Sequence, residues 1–181
     1  MIEIRWHGRG GQGGFTASKL LGALVALYGN RYALAFPSFG PERRGAPVLA
    51  FTKIDDKKIS DRSEVKNCDY IIILDETLFN EIFLQDLKVN GKIIINSTNA
   101  MPYLKYGTDK IIAIDATSIA LDILEKPITN TAMLGALLGV SKIIGLDAVH
   151  KGMGSFFKGT TLKKNIEVVE KSFSQGTRMG L

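Results

Sequence analysis

The pattern of apolar and polar positions predicts strands that alternate with helices. Period-two or continuous apolar runs, typical of strands, lie at 2–7, 31–36, 46–54, 69–74, 91–96 and 110–114. Apolar side chains at helical spacing lie at 15–28, 77–87, 116–124 and 162–174. Gly29 is expected to end the first helix. The run Asp69-Tyr-Ile-Ile-Ile-Leu74 is apolar on both faces, as in a central strand.

This alternation predicts a single α/β domain over residues 1–181, with a Rossmann-like, doubly wound mixed sheet and helices on both faces. The link between the second and third strands has fewer than ten residues and no helical pattern. A parallel crossover needs a dozen or more, so the third strand should run antiparallel to the second. Residues 175–181 are expected to form a loose tail or a docking strap.

The segment 130–146 is strongly apolar and contains Gly135 and Gly139. We interpret it as a buried helix packed on the sheet or on a partner. Large exposed apolar patches are rare on monomers, so we expect residues 133–144, or a surface near them, to be covered by a partner. Asp147 is expected to cap a further short helix.

Charge is concentrated near the N-terminus. The chain carries 23 basic and 18 acidic residues, for a net charge of +5. Six of the basic residues lie in residues 1–44, against only Glu3 and Glu42. Arginine suits fork-like recognition of phosphate or carboxylate, so this region is expected to face an anion. A basic nucleic-acid-binding module is an alternative, but no recognised module surrounds these residues.

The metal-binding residue types are scarce. Cys68 is the only cysteine, and His7 and His150 are the only histidines. An iron–sulfur cluster usually needs four thiolates, so we predict no cluster and no structural zinc in this chain. Cys68 precedes an apolar run and is expected to be buried and inert. No apolar stretch reaches about 20 residues and the first residues lack a signal-peptide layout, which predicts a cytoplasmic protein without membrane association.

A glycine motif follows the first strand and opens the first helix. Gly8, Gly10 and Gly13 fit G-x-G-x-x-G, the pattern of dinucleotide-binding loops. Such a site also needs an acidic residue at the end of the second strand, and 35–38 reads Ala-Phe-Pro-Ser. An independent nicotinamide-dinucleotide-binding protein is therefore a disfavoured alternative. A tight turn without a ligand is another.

A second loop, 36–47, reads Phe-Pro-Ser-Phe-Gly-Pro-Glu-Arg-Arg-Gly-Ala-Pro. Its prolines and glycines fix an irregular backbone that carries three charges. Both loops follow strand ends at the sheet edge where ligands bind in open α/β folds. We therefore expect the following side chains to lie close together: His7, Arg9, Gln12, Glu42, Arg43 and Arg44. The candidate cofactor-binding residues are Gly8, Arg9, Gly10, Gly11, Gln12, Gly13, Glu42, Arg43 and Arg44, with no catalytic residue or metal ligand predicted.

Two motifs together resemble a known family. The segments 6–13, Trp-His-Gly-Arg-Gly-Gly-Gln-Gly, and 39–47, Phe-Gly-Pro-Glu-Arg-Arg-Gly-Ala-Pro, are similar to those of the gamma subunit of pyruvate:ferredoxin oxidoreductase. The resemblance covers nearly the whole chain as a pyruvate/ketoisovalerate oxidoreductase gamma-type domain. It departs from the commonest pattern at Gly14, where a bulkier residue often stands.

The resemblance implies a subunit of a complex in anaerobic metabolism. That complex decarboxylates pyruvate oxidatively to acetyl-CoA and reduces ferredoxin, and in reverse it acts as pyruvate synthase. Thiamine diphosphate and iron–sulfur clusters would belong to alpha, beta and delta partner subunits, and the isolated chain would be inactive. Coenzyme A would be a substrate at a shared site, facing the two loops unless they contact only a partner subunit. The Arg43-Arg44 pair with the following Ala-Pro favours pyruvate, with a branched-chain 2-oxoacid second.

Overall fold

The computed structural model describes residues 1–38, 44–107 and 109–180. Within them, one six-stranded sheet is formed by β1 (Ile2–Arg9), β2 (Tyr32–Pro37), β3 (Pro47–Asp55), β4 (Cys68–Ile73), β5 (Leu87–Asn96) and β6 (Ile111–Ile114). The α-helices are α1 (Gly14–Tyr28), α2 (Ala116–Leu124), α3 (Asn130–Ser141), α4 (Leu146–Gly152) and α5 (Gly159–Met179). The α/β prediction is confirmed, and Gly29 follows α1 as expected.

The strand order is β2-β3-β1-β4-β5-β6. Strands β1, β4, β5 and β6 are parallel, while β3 runs antiparallel to both β1 and β2. The prediction that the third strand opposes the second is confirmed. Strands β1 and β2 therefore point the same way, so the loops after both emerge at one edge of the sheet.

Alternate strand residues enter two different cores. Ile4, Trp6 and Ile72 face the core that packs against the α-helices. Phe51 and Ile71 face the opposite core, covered by short 3₁₀-helices at Glu76–Leu78, Glu81–Leu84 and Met101–Tyr106. Helical cover therefore lies on both faces, as predicted, but in the described residues the α-helices pack on one face only.

The predicted helix at 77–87 is wrong. Two 3₁₀-helices replace it, with Asn80 between them in an extended conformation. The Asn80 side chain accepts a hydrogen bond from the backbone amide of Ile82, which offers the chain an alternative to helical bonding. A turn at residues 85–86 then leads into β5.

Helix α3 is internal to the fold, so the expected partner contact at 133–144 is wrong. Side chains from Ala132 to Leu138 are fully buried, mainly against α5, with smaller contacts to α1, α2 and β5. The two helices approach closely at Gly135, Gly139 and Gly176. This contact continues α5 to Met179, so the loose tail expected from residue 175 is also wrong for 175–179.

Two smaller predictions concern capping and membranes. Helix α4 starts after Gly145 without a side-chain cap, and Asp147 lies in its first turn instead of capping it. Over residues 1–38, 44–107 and 109–180, no helix combines the length and apolar character that crossing a membrane requires.

Candidate functional site

The glycine loop, residues 10–13, joins β1 to α1 with a backbone that favours glycine. Gly11 and Gly13 have φ values of 96° and 77°. At Gly13 a Cβ atom would also lie 2.5 Å from Nδ2 of Asn130 at the start of α3. Helix α1 begins without a side-chain cap, so its first backbone amides are available to an anion.

The second loop meets the glycine loop through its backbone. Gly10 N donates to Ala46 O at 2.9 Å, and Gly45 N donates to Gly10 O at 3.1 Å. Arg44 forms an isolated bridge with Gly10 and is exposed. The expected proximity of the two loops is thus observed at Arg44. The other predicted charges, Glu42 and Arg43, lie outside the described residues.

Arg9 is committed to contacts inside the chain. Its Nε donates to Oδ2 of Asp75 at 2.8 Å, its Nη1 to Gly45 O at 3.1 Å, and its Nη2 to Oγ1 of Thr77 at 2.7 Å. Gln12 Oε1 accepts from the Arg9 amide at 2.7 Å, while its Nε2 lies 3.4 Å from Asp75. Arg9 and Gln12 therefore stabilise the two loops. Because all three guanidinium nitrogens of Arg9 already donate hydrogen bonds within the chain, its guanidinium is not free to bind a ligand.

Asp75 and Thr77 belong to this network but were not predicted from the sequence, and Asp75 carries its negative charge. Burial acts to raise the pKa of the Asp75 carboxyl, but bonds from Thr77 and Arg9 outweigh burial and lower that pKa. The carboxylate is thus held charged between the glycine loop and the turn after β4. Its position directly after the buried run 69–74, at the ligand-binding edge of the sheet, was the available signal.

His7 does not join the candidate site, contrary to expectation. Its side chain is buried on the 3₁₀-helix face, where its ring centroid lies 4.4 Å from that of Phe83. Arg5 Nε donates to His7 Nε2 at 3.0 Å. Burial, followed by the charge of Arg5, lowers the pKa of His7 to about 3, so the imidazole is neutral at physiological pH.

Two clefts flank the glycine loop. A cleft of about 330 Å³ lies between the glycine loop, the start of α1 and β3, with Trp6, Val48 and Ala50 on the sheet side. A second cleft, of about 460 Å³, lies beyond the ends of β4 and β5 and is rich in hydroxyl and amide groups, including those of Ser97 and Thr117. The first combines apolar side chains on its sheet side with glycine backbone and helix-start amides.

The structure offers little support for dinucleotide or thiol chemistry. Asp75 lies in the turn after β4, the strand beside β1, but its carboxylate already binds Arg9 and Thr77 and is not free for ribose hydroxyls. Cys68 is buried, and burial raises the pKa of its thiol to about 11. Across the described ranges, no three His, Cys, Asp or Glu side chains cluster in a way that could hold a metal ion.

Comparison with known proteins gives a consistent result over the whole chain. The family model described as pyruvate ferredoxin/flavodoxin oxidoreductase matches residues 3–175. Pyruvate synthase subunit PorC of Methanocaldococcus jannaschii is 47% identical over 176 residues, covering 97% of both chains. The pyruvate/ketoisovalerate oxidoreductases common subunit gamma of Thermococcus kodakarensis is 42% identical over 180 residues, covering 97% of both chains.

Solved structures share the fold. The crystal structure of pyruvate oxidoreductase subunit PORC from Thermotoga maritima matches with a TM-score of 0.82 and 34% identity, covering 96% of this chain and 95% of that one. The 2-oxoglutarate:ferredoxin oxidoreductase of Magnetococcus marinus matches with a TM-score of 0.69 and 16% identity, over 99% of this chain and 31% of that longer chain. At that identity the second likeness shows the fold alone.

Proposed function

The chain belongs to the pyruvate ferredoxin/flavodoxin oxidoreductase family, and on that premise we propose that it is the gamma-type subunit of a 2-oxoacid:ferredoxin oxidoreductase. The complex converts pyruvate to acetyl-CoA with reduction of ferredoxin, and runs in reverse as pyruvate synthase. The observation that carries this function is the full-length similarity to pyruvate synthase and gamma-subunit chains. The chain acts as part of that complex and not as an enzyme alone.

We propose that the partner subunits bind the cofactors of the complex. The complex itself is proposed to be cytoplasmic. We place thiamine diphosphate and the iron–sulfur clusters in the alpha, beta and delta subunits, with ferredoxin reached through the complex. The one thiol of this chain is buried with a raised pKa, which suits neither a cluster nor a nucleophile. The neutral, buried His7 is equally unsuited to proton transfer at a substrate.

The glycine loop is proposed to hold a phosphate of coenzyme A at the edge of the active site. Support comes from the uncapped start of α1, the adjoining cleft and the exposed Arg44 beside Gly10. Helix-start amides and an arginine together favour a phosphate. Arg9, Gln12 and Asp75 act here by fixing the loop, while Glu42 and Arg43 remain predicted members of the site.

Reconstitution with the partner subunits tests this assignment. Arg43→Ala and Arg44→Ala should each raise the apparent KM for coenzyme A about ten- to hundredfold, because a charge-assisted bond is lost. Electron release on pyruvate alone should survive. The matched control is Arg31→Ala, because Arg31 pairs with Asp56 at the opposite end of β2. Failure of assembly would make the arginines interface residues, and a change under threefold in both variants would remove them from the coenzyme A site.

Composition of the complex tests the wider function. The tagged chain in native extract should bring thiamine- and cluster-bearing subunits with it. Purified alone, it should be colourless and iron-free and should not turn over pyruvate with coenzyme A and ferredoxin. Stoichiometric iron in the lone chain, or turnover by it, would contradict the subunit assignment. Tight NADH binding would instead favour the nicotinamide alternative.

A further inference from the structure

The outward face of α1 has an unusual composition for a surface helix. The helix reads Gly-Phe-Thr-Ala-Ser-Lys-Leu-Leu-Gly-Ala-Leu-Val-Ala-Leu-Tyr, with Lys19 as its single charged residue. The exposed positions on this face are Thr16, Lys19, Ala26 and Leu27, and Leu27 is 65% exposed. Tyr28, which is also exposed, lies on the side of the helix toward α4, where its hydroxyl donates to Lys151 O. A helix that faces water normally carries charged side chains on its outer face. This face is instead mostly small or apolar.

Helix α5 of the same chain shows the ordinary arrangement. Its exposed positions include Lys163, Glu167, Lys171 and Arg178, which follow one another at helical spacing. Both helices pack one apolar face inward, and they differ in the composition of their outer faces. The charged outer face of α5 is typical of a face exposed to water. The mostly uncharged outer face of α1 is typical of a face that contacts another protein.

The strand beneath α1 is also open. Strand β2 is the terminal strand of the sheet, and its sequence Tyr-Ala-Leu-Ala-Phe-Pro contains no charge. Because Ser38 N bonds to Leu49 O and antiparallel pairs alternate, the backbone groups of Ala33 and Ala35 point away from β3. Natural sheet edges are usually protected by charges, prolines, bulges or a covering segment. Strand β2 carries a proline, Pro37, at its end, and Ala33 and Ala35 have no such protection. In the described part of the chain no strand covers this edge.

These two features form one surface. Gly22 of α1 lies directly on Ala33 and Ala35, where an added Cβ would meet their Cβ atoms at 3.9 and 3.3 Å. The outer face of α1 and the open edge of β2 are therefore adjacent, and we call them together the α1–β2 surface. It starts at the glycine loop, since α1 follows that loop directly.

We propose that the α1–β2 surface docks this chain onto another subunit of the same oxidoreductase complex, a partner that presents an apolar segment with one acidic side chain opposite Lys19. This rests on the proposed function. The face holds one cation and no acid, and Lys19 lies over the Phe15 ring, 5.6 Å from its centroid. One acidic side chain of the partner opposite Lys19 would balance the only charge on this face, so no second ion pair is needed.

A second copy of this chain fits the surface less well. Helix α1 is about 22 Å long and about 10 Å wide, so its face offers a few hundred Å². The edge of β2 adds a backbone strip about 20 Å long. A stable two-chain interface buries about 800 Å² on each side. Two copies would also each bring a lysine and a net charge of +5 to the contact. A larger complex supplies the remaining contact area from its other interfaces.

Co-expression with the partner subunits tests the surface. Leu27→Lys should weaken assembly by roughly tenfold or more, because it places a charge in an apolar contact. Lys19→Glu should also weaken it, by opposing the partner acid. The control is Leu121→Lys, which alters another exposed leucine, on α2 and outside the surface; it should assemble within twofold of wild type. The lone variants should melt like wild type, since each altered side chain is exposed.

The outcomes are distinguishable. If the unaltered chain brings down no subunits, the proposed function fails and not this surface alone. If it assembles and Leu27→Lys assembles equally well, the α1–β2 surface is not the docking site. If the lone chain sediments as a dimer that Leu27→Lys dissociates while the complex still forms, the occupant is a second copy and the proposal is overturned.

Discussion

Two positions of the glycine loop require glycine for different physical reasons, and substitution can separate them. Gly11 has φ 96° with no atom within 4 Å of an added Cβ, while Gly13 combines φ 77° with the close Asn130 amide. Gly11→Ala should cost about 1 kcal/mol in unfolding free energy, from backbone strain alone. Gly13→Ala should cost about 1–3 kcal/mol more, from the added clash. Urea denaturation of both variants measures the difference, and equal losses would contradict the steric role of Asn130.

Which side chains meet could be predicted from sequence only in part. The motif spacing placed Gly10 and Gly13 at the turn, while Gly8 lies within β1, and strand order brought Arg44 to the same edge. The fate of Arg9 could not be predicted, because it depends on Asp75, a residue distant in sequence that approaches through β4. His7 was misplaced because strand residues alternate between faces, and its neighbour Trp6 points to the α-helix side.

The ion pair between Arg9 at the end of β1 and Asp75 in the turn after β4 should contribute measurably to the free energy of unfolding. In a double-mutant cycle of Arg9→Ala and Asp75→Ala, the coupling free energy should be about 1 kcal/mol, since the pair is partly shielded from water. Arg31 and Asp56 form the control pair with the same 2.8 Å Nε–Oδ distance, but Asp56 is 81% exposed. Its coupling should fall below about 0.5 kcal/mol. Equal couplings from urea denaturation would argue against shielding of the Arg9–Asp75 pair.

The contact between α3 and α5 should tolerate no side chain at its glycines. An added Cβ at Gly135 would lie 2.5 Å from Val169 O. Gly135→Ala should therefore lower the unfolding free energy by about 3 kcal/mol or more, despite the better helix propensity of alanine. Gly22→Ala in α1 is the control, because its Cβ would meet Ala35 at 3.3 Å, and it should change stability by no more than about 1 kcal/mol. A small loss for Gly135→Ala would mean that the helices can separate without cost.

Strands were easier to predict than the segments between them. The apolar runs around β4 and β5 are long and bounded, so their positions came within a few residues. The segment 77–87 has helical spacing at Leu78, Ile82 and Phe83, but capping by Asp75 and Asn80 divides it into two short turns. The end of α5 looked polar and loose, yet Gly176 packs on Ala136 of α3. Because that contact joins residues far apart in sequence, the local sequence pattern does not predict it.

The buried imidazole should make global stability depend on pH. An unfolded His7 gains a proton below about pH 6.5, while the folded one resists protonation until about pH 3. The unfolded state binds more protons in that window, so stability should rise with pH from about 3 to 6.5 by up to about 1.4 kcal/mol per unit. His7→Gln should flatten this slope. In a His150→Gln background, where His7 is the only imidazole, NMR titration above pH 5 should show no shift, and a midpoint between pH 5 and 8 would contradict the burial.

Helix α3 also sets an order on the biosynthesis of the chain. Synthesis of α3, with its fully buried side chains, is complete at Ser141. Helix α5, which covers those side chains, ends at Met179, 38 residues later. The ribosomal exit tunnel encloses the most recently added residues, so α3 reaches solvent while α5 is still inside the tunnel. The apolar side chains of α3 have no lasting cover until α5 follows it out. Nascent chains arrested with α3 outside the tunnel and α5 still within it should accordingly recruit chaperones, and chains with both helices outside should not.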